Sequence, residues 1–133
     1  MADAEKHVSK EREAAAIPRI LCDADALSAE PSAAGVLWKL TERARQLDAN
    51  IVRLTPGRHV APHAEPDLDV LLLVVSGDGV LGAGPGDEPQ PLTTGTLLWL
   101  PHGSTRSITA GDDGLAYLTV HVRRPGMRIG RAR

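Results

Sequence analysis

The strongest constraint on the fold is the regular alternation of strand-like segments and turn residues after position 35. Short apolar or alternating segments are interrupted by Gly, Pro and Asp about every 8–12 residues, a spacing typical of a sandwich or barrel. No segment in this part has the 3.6-residue period of a helix. We therefore predict an all-β domain of eight or nine short strands, including 36–40, 47–54, 58–64, 70–75, 80–83, 96–100, 104–109 and 115–122.

One of these segments, VLLLVV at positions 70–75, is apolar throughout. It is too short for a buried helix, and Ser76-Gly77-Asp78-Gly79 reads as a turn that ends it. An uninterrupted apolar run of this length is typical of a strand that is buried on both faces. We therefore expect residues 70–75 to form the central strand of the domain.

The two ends of the chain differ from the domain between them. Residues 1–34 are polar, Ala-rich and aperiodic, which predicts an N-terminal arm with one helical turn at residues 11–16. We expect Ile17, Ile20 and Leu21 to pack this arm on the domain. Residues 35–124 form the β-barrel domain, and residues 125–133 form a basic tail. Such a tail is typical of a solvated end, and contact with an acidic partner surface or nucleic acid is the alternative.

The composition argues against several classes of protein. A single Cys among 133 residues allows neither a disulfide framework nor a thiolate metal cluster. Two Trp, one Tyr and no Phe are too few for an aromatic platform that stacks single-stranded nucleic acid. No apolar run approaches the ~18 residues of a membrane helix, and no secretory signal is visible. We expect a cytoplasmic protein that binds neither nucleic acid nor membrane, and the excess of Arg over Lys favours a bacterial source.

Two segments of the domain share a framework of glycines and proline. The first, from Gly57 to Gly77, reads G-x5-H-x-E-x4-V-x6-G, and the second, from Gly95 to Arg106, reads G-x5-P-x-G-x2-R. In this spacing and strand order the chain resembles the cupin superfamily, whose motifs read G-x5-H-x-H-x3–4-E-x6-G and G-x5-P-x-G-x2-H-x3-N. The resemblance covers residues 35 to about 124 and implies a single jelly-roll β-barrel.

The resemblance also locates a metal site, at which this chain departs from the family. Cupins that hold a metal bind it through two His, a carboxylate and a third His, and the matching residues here are His63, Glu65, Val70 and Arg106. Valine cannot bind a metal, and arginine is a permanent cation that repels one. Because a buried carboxylate needs a partner, we expect a Glu65–Arg106 ion pair where the family holds its metal.

Such a pair also suits a small carboxylate or phosphate, which arginine binds bidentately. The sequence therefore predicts a small cupin-domain protein that binds a small anion in the barrel without the usual metal. The scarcity of aromatic residues argues against a large planar ligand. If the protein is an enzyme, His63 is the candidate catalytic residue. The expected ligand-binding residues are His63, Glu65, Arg106, Tyr117 and His121.

A metal-dependent cupin enzyme, an oxygenase or isomerase, is the alternative function. It requires a β-bulge that turns Asp69 inward, so that Asp69, His102 and His121 complete a site with His63 and Glu65. Two or three His with carboxylates suit Fe, Mn, Ni or Zn. A barrel that serves only as an interaction module is a third reading.

The resemblance further implies a homodimer. Cupins commonly pair through their sheets, and the early strand offers apolar residues for such a contact. Val36, Trp38 and Leu40 are expected to cover either a neighbouring sheet or the chain's own core.

Overall fold

A computed structural model of the chain describes residues 17–82 and 86–124. One short helix, α1, precedes a series of strands, which confirms the prediction of an all-β fold. The helical turn expected at residues 11–16 and the basic tail at 125–133 lie outside the described residues. The elements are α1 (Ala24–Ser28), β1 (Gly35–Lys39), β2 (Leu47–Leu54), β3 (His59–Ala64), β4 (Val70–Gly82), β5 (Gln90–Thr93), β6 (Leu97–Leu100) and β7 (Thr105–Val122).

Strands β4 and β7 are long because each runs through both sheets of the barrel. The second half of β7 pairs with β2, and its first half pairs with β3. The first half of β4 pairs with β6, and its second half pairs with β5. All these pairings are antiparallel, and β4 and β7 also pair with each other along both halves. The result is a jelly roll with β1, β2 and β6 in one sheet and β3 and β5 in the other.

The bend between the two sheets corrects the expectation that residues 76–79 end a strand. Gly77 has a φ of +81°, and a Cβ on it would lie 2.1 Å from the carbonyl oxygen of Gly114. Glycine is needed here because this close approach and this backbone conformation both exclude a side chain. The glycines therefore let β4 and β7 bend together, with a shift of register, instead of ending them.

The core lies between the two sheets and is made of aliphatic side chains with one tyrosine. Along β4, Val70, Leu72 and Val74 are buried, whereas Leu71 between them is 48% exposed. The expectation that residues 70–75 are buried on both faces is therefore wrong. One face of the strand packs inside the barrel, and no complete second layer covers the other face. The core cluster is Leu54, Val70, Leu72, Val74, Leu81, Leu92, Leu100, Ile108, Ala110, Leu115 and Tyr117.

The segment before β1 is fastened to the outside of the barrel by Arg53 of β2. This side chain is 7% exposed, and its Nη1 donates hydrogen bonds to the carbonyls of Pro31 and Ala33 at 3.1 and 2.8 Å. Its Nη2 donates to the carbonyl of Asp113 at 3.4 Å. The apolar residues that were expected to hold the arm do not do so. The side chains of Ile17, Ile20 and Leu21 are exposed.

Candidate functional site

The bend of β7 determines which residues face each other inside the barrel. Ala110 and Leu115 lie on either side of this bend and pair with neighbouring positions of β4. Arg106 lies four residues before Ala110, and Thr119 lies four residues after Leu115. Because alternate residues of a strand point to the same face, Arg106 and Thr119 both point inward from opposite sheets. They lie at about the same depth.

Arg106 is a buried cation that has no acidic partner among residues 17–82 and 86–124. It is 7% exposed and shares its face of β7 with the core residues Ile108 and Ala110. Among the described residues its one hydrogen bond runs from Nη1 to the carbonyl of Ser104, at 3.5 Å. Each side-chain nitrogen in this part of the chain either has a hydrogen-bond partner or is reached by solvent. The free N–H groups of Arg106 therefore face accessible space, while burial lowers the pKa of its guanidinium.

The expected Glu65–Arg106 ion pair does not form, because Glu65 pairs with Arg124 instead. Glu65 follows the last residue of β3, at the rim of the barrel, and its Oε2 accepts a hydrogen bond from the backbone N–H of Asp67 at 2.6 Å. Arg124 follows the end of β7 at the same rim and is more than half exposed. The side chain of Glu65 is only 12% exposed, so its carboxylate needs a countercharge, and Arg124 at the same rim supplies it.

His63 lies beside Arg106 in the register of β3 and β7. It is exposed, on the edge strand β3, and its Nδ1 lies 3.1 Å from the carbonyl oxygen of Ala61. His121 is half-buried near the rim, where its Nδ1 lies 2.7 Å from the carbonyl oxygen of Val122. Of the expected ligand-binding residues, His63 is therefore the one that adjoins Arg106 directly along the sheet.

The residues of the alternative metal site make other contacts in the structure. Asp69 precedes β4, is exposed, and accepts hydrogen bonds from the backbone N–H and the Nδ1 of His102 at 2.9 and 2.7 Å. These bonds hold the pKa of Asp69 below its ordinary value. No bulge turns Asp69 inward, because the regular pairing of β4 with β6 begins at Val70. Within residues 17–82 and 86–124, no three His, Cys, Asp or Glu side chains are placed to hold a metal.

Known structures of similar shape decide the fold family. A protein from Bacillus halodurans superimposes with a TM-score of 0.64, at 14% identity, over 84% of this chain and 86% of its own. A cupin protein from Bacteroides fragilis superimposes with a TM-score of 0.53 at 21% identity, over 63% of this chain and 71% of its own. The Cnp3 cupin domain of Schizosaccharomyces pombe superimposes with a TM-score of 0.57 at 12% identity, over 65% of this chain and 59% of that chain. This chain has the cupin fold.

Comparisons of sequence add no closer relative. No protein-family model matches the chain, and no curated protein matches it. The similarity to cupins is therefore one of fold, at identities that do not carry function across. No helix in the described part of the chain is long and apolar enough to span a membrane.

The metal site of cupins does not fit the residues of this chain. Val70 occupies the carboxylate position and is buried in the apolar core. Arg106 occupies the position of the third His and carries a positive charge into the barrel. A cation beside a divalent metal is unfavourable, and two of the four positions offer no ligand atom. We therefore derive no chemistry through a metal.

Two polar residues of the barrel interior were missed in the sequence analysis. Asn50 of β2 and Thr119 of β7 are paired across the strands, and the Thr119 hydroxyl donates to Asn50 Oδ1 at 2.5 Å. A signal was present in the sequence, because Asn50 has the same parity as the apolar residues Val52 and Leu54. A polar residue on the inward face of a strand indicates a pocket or a buried network.

A cavity of about 510 Å³ lies outside the barrel between the arm and the bend of β4. It is lined mainly by polar groups, among them Ser76, Asp78 and the buried Arg53. None of the residues proposed from the sequence lines it. Since Arg53 already donates hydrogen bonds to carbonyls of the arm, the candidate site is the interior around Arg106.

Proposed function

We propose that this protein binds a small organic or inorganic anion inside its cupin barrel, without the metal that the fold commonly holds. The observation that carries the proposal is Arg106, a buried guanidinium that has no carboxylate partner in the described part of the chain and retains free N–H groups. Burying a charge without a partner is unfavourable, and a bound anion would supply the countercharge that Arg106 lacks among the described residues. The expected cytoplasmic location stays a prediction.

Two further side chains of the interior support an anion site. The Tyr117 hydroxyl has no hydrogen-bond partner among the described residues, and it is not sealed from solvent. It lies on the inward face of β7, two residues deeper than Thr119. His63, which is exposed, is paired with Arg106 in the register of β3 and β7. An anion on Arg106 would therefore find a hydroxyl donor deeper in the barrel and a histidine on the neighbouring strand.

Isothermal titration calorimetry with acetate, butyrate and orthophosphate tests the proposal. At low ionic strength, the wild type should bind at least one of these anions, and Arg106→Met should reduce that affinity at least tenfold. Arg53→Met is the matched control, because it removes an equally buried guanidinium outside the barrel and should leave binding unchanged. No binding by the wild type, or equal losses in both variants, would contradict the proposal.

Metal analysis gives an independent check. We expect purified protein to hold no stoichiometric Fe, Mn, Ni or Zn after gel filtration in metal-free buffer. A full equivalent of one of these metals, lost when His63 is replaced by Ala, would instead support the metal-dependent enzyme.

Proton transfer by His63 is a second candidate function, favoured by its position beside Arg106. The contact of Nδ1 with the backbone leaves Nε2 for a bound acid. A carboxylate held by Arg106 would then expose its neighbouring C–H group to a general base. We expect wild type, but not His63→Gln, to accelerate hydrogen–deuterium exchange of 2-oxobutyrate in NMR experiments. An exchange rate equal to that in buffer would exclude this activity.

We also propose that the chain forms a homodimer through the outer face of the sheet containing β6, β4, β7 and β2. Trp99, Leu97 and Leu71 of this face are 66%, 65% and 48% exposed. An apolar face of this extent is unusual for a monomer and typical of an association surface. The cross-strand pairs form two apolar rows on this face, Trp99–Leu71–Val120–Ala49 and the shorter Leu97–Leu73–Leu118.

A second copy is the natural occupant because a two-fold axis through the face would set each apolar row against its equivalent. The proposed surface differs from the one expected from the sequence, since Trp38 and Leu40 of that surface are half-buried. Sedimentation velocity should show a dimer for wild type and a monomer for Trp99→Lys. Val80→Lys, an exposed apolar site on the other sheet, is the control and should stay dimeric. A monomeric wild type would contradict the proposal.

A further inference from the structure

The wall of the barrel that faces Arg106 carries a hydrogen-bonding pair. Asn50 and Thr119 are half-buried, and the Thr119 hydroxyl uses its proton on Asn50 Oδ1. This bond fixes which way the amide points, so the Asn50 NH₂ group remains free to donate. It has no partner among the described residues and is not sealed from solvent. The wall therefore presents donors from the amide and acceptor capacity on the hydroxyl oxygen.

Since Arg106 and this wall point inward from opposite sheets, they border the same part of the barrel interior. Tyr117 lies two residues deeper than Thr119, which corresponds to about 7 Å along a strand. Tyr117 and Ile108 are both buried and belong to the core cluster, so they form the floor of the space. Arg106 bends toward the rim, where its Nη1 contacts the Ser104 carbonyl. Because the wall, the floor and Arg106 lie within a few residues of one another along β7 and its neighbours, a ligand that touches all three would be short.

Among the described residues, the barrel interior offers one guanidinium to a ligand, that of Arg106. Arg124, at the rim, is already paired with Glu65. A monoanion balances one guanidinium, while the second charge of a phosphate would stay uncompensated in a poorly solvated space. The apolar residues Leu72 and Leu100 line the same face as the core and suit carbon rather than oxygen atoms.

Resting on the anion site proposed above, we infer that its ligand is a short monocarboxylate that carries a hydroxyl or carbonyl group. The carboxylate binds Arg106, and the second polar group meets Asn50 and Thr119 on the opposite wall. These two residues set specificity, since a plain aliphatic acid would leave the free Asn50 amide facing carbon. A site with unmatched polar groups disfavours the ligand that fails to pair them.

Four acids with one carbon skeleton test the inference: butyrate and its 2-, 3- and 4-hydroxy derivatives. In calorimetric titrations of the wild type, at least one hydroxybutyrate should bind about tenfold more tightly than butyrate, the gain expected of one good hydrogen bond. Thr119→Val, which keeps the shape of the side chain, and Asn50→Ala should each remove most of that advantage. In Asn50→Ala the affinity for butyrate itself should rise, because no free amide is left facing carbon, and circular-dichroism spectra show that both variants fold.

The outcomes separate the inference from the proposal on which it rests. Equal binding of all four acids by the wild type, with an affinity lost in Arg106→Met, would overturn the specificity and leave the anion site standing. Tighter binding of orthophosphate than of any hydroxybutyrate would overturn the monocarboxylate. A wild type that binds neither these acids nor orthophosphate would refute the anion site itself.

Discussion

Replacing each of the two buried arginines by methionine should change stability in opposite directions. Arg106 and Arg53 are both 7% exposed. Arg106 makes one long hydrogen bond, whereas Arg53 donates to three backbone carbonyls and ties the arm to the barrel. Methionine keeps the unbranched stem of arginine and removes the charge, so the two substitutions are matched in shape.

The magnitudes follow from what each side chain gains in the folded protein. Burying a guanidinium costs several kcal/mol, and a single weak hydrogen bond returns about 0.5–1.5 kcal/mol. Because the free N–H groups of Arg106 keep access to solvent, only part of this cost applies, and Arg106→Met should raise the free energy of unfolding by about 1 kcal/mol. Arg53→Met should lower it by about 1–2 kcal/mol, because it removes three hydrogen bonds and leaves the carbonyl of Asp113 poorly paired.

Urea unfolding of the two variants and the wild type, followed by circular dichroism without added anions, measures these changes. Parallel melts with 50-fold excess butyrate over its dissociation constant should raise the melting temperature of wild type and Arg53→Met but not of Arg106→Met. If Arg106→Met destabilises the protein as much as Arg53→Met does, Arg106 serves the fold and the reasoning for a ligand role fails.

Three further predictions concern the bend, the barrel floor and the rim. Gly77→Ala should lower the free energy of unfolding by about 3 kcal/mol or more, measured in urea, since a Cβ there would meet a backbone oxygen. Gly57 has a similar φ of +76° but open space around it, so Gly57→Ala should lower the same free energy by only about 1 kcal/mol. Equal losses in the two variants would refute the steric argument. Burial raises the pKa of Tyr117, the single tyrosine, so near-ultraviolet absorbance should show its ionisation above the ordinary value of about 10. The stability linked to this raised pKa is present below pH 10 and falls as the pH rises further; a midpoint at 10 or below would show an exposed phenol. A hydrogen bond from Arg45 holds the pKa of Asp48 below its ordinary value, so its contribution is present at neutral pH and is lost as the pH falls through the folded pKa. Asp48→Asn should therefore lose less stability than wild type between pH 6 and pH 3, and identical losses would contradict this.

Strand positions could be predicted where local signals were sufficient. The alternation from Leu47 to Leu54 and the turn that follows it predict β2 with the bounds that the strand has in the structure. The joined strands β4 and β7 were not predictable, because a Gly-rich turn and a Gly-rich bend have the same local sequence. They differ in the close approach of Gly77 to Gly114, which the tertiary structure creates. Strand β5 was missed because Pro91 reads as a turn residue, yet it is tolerated on an edge strand.

The candidate site was predictable in part for a similar reason. The motif spacing placed Arg106 inside the barrel, but the partner of Glu65 depends on where the chain leaves β7, 59 residues later. A local pattern does not contain that information. Asn50 and Thr119 become a pair only through the register of β2 with β7. Such cross-strand juxtapositions decide the chemistry of the interior.

The most direct test of the central claim is a crystal structure of the protein bound to the tightest of the four-carbon acids. We predict electron density for the acid inside the barrel, with its carboxylate on the free N–H groups of Arg106 and its hydroxyl at Asn50 and Thr119. A structure in which the barrel interior holds a metal ion, or in which the acid binds only outside the barrel, would contradict the account.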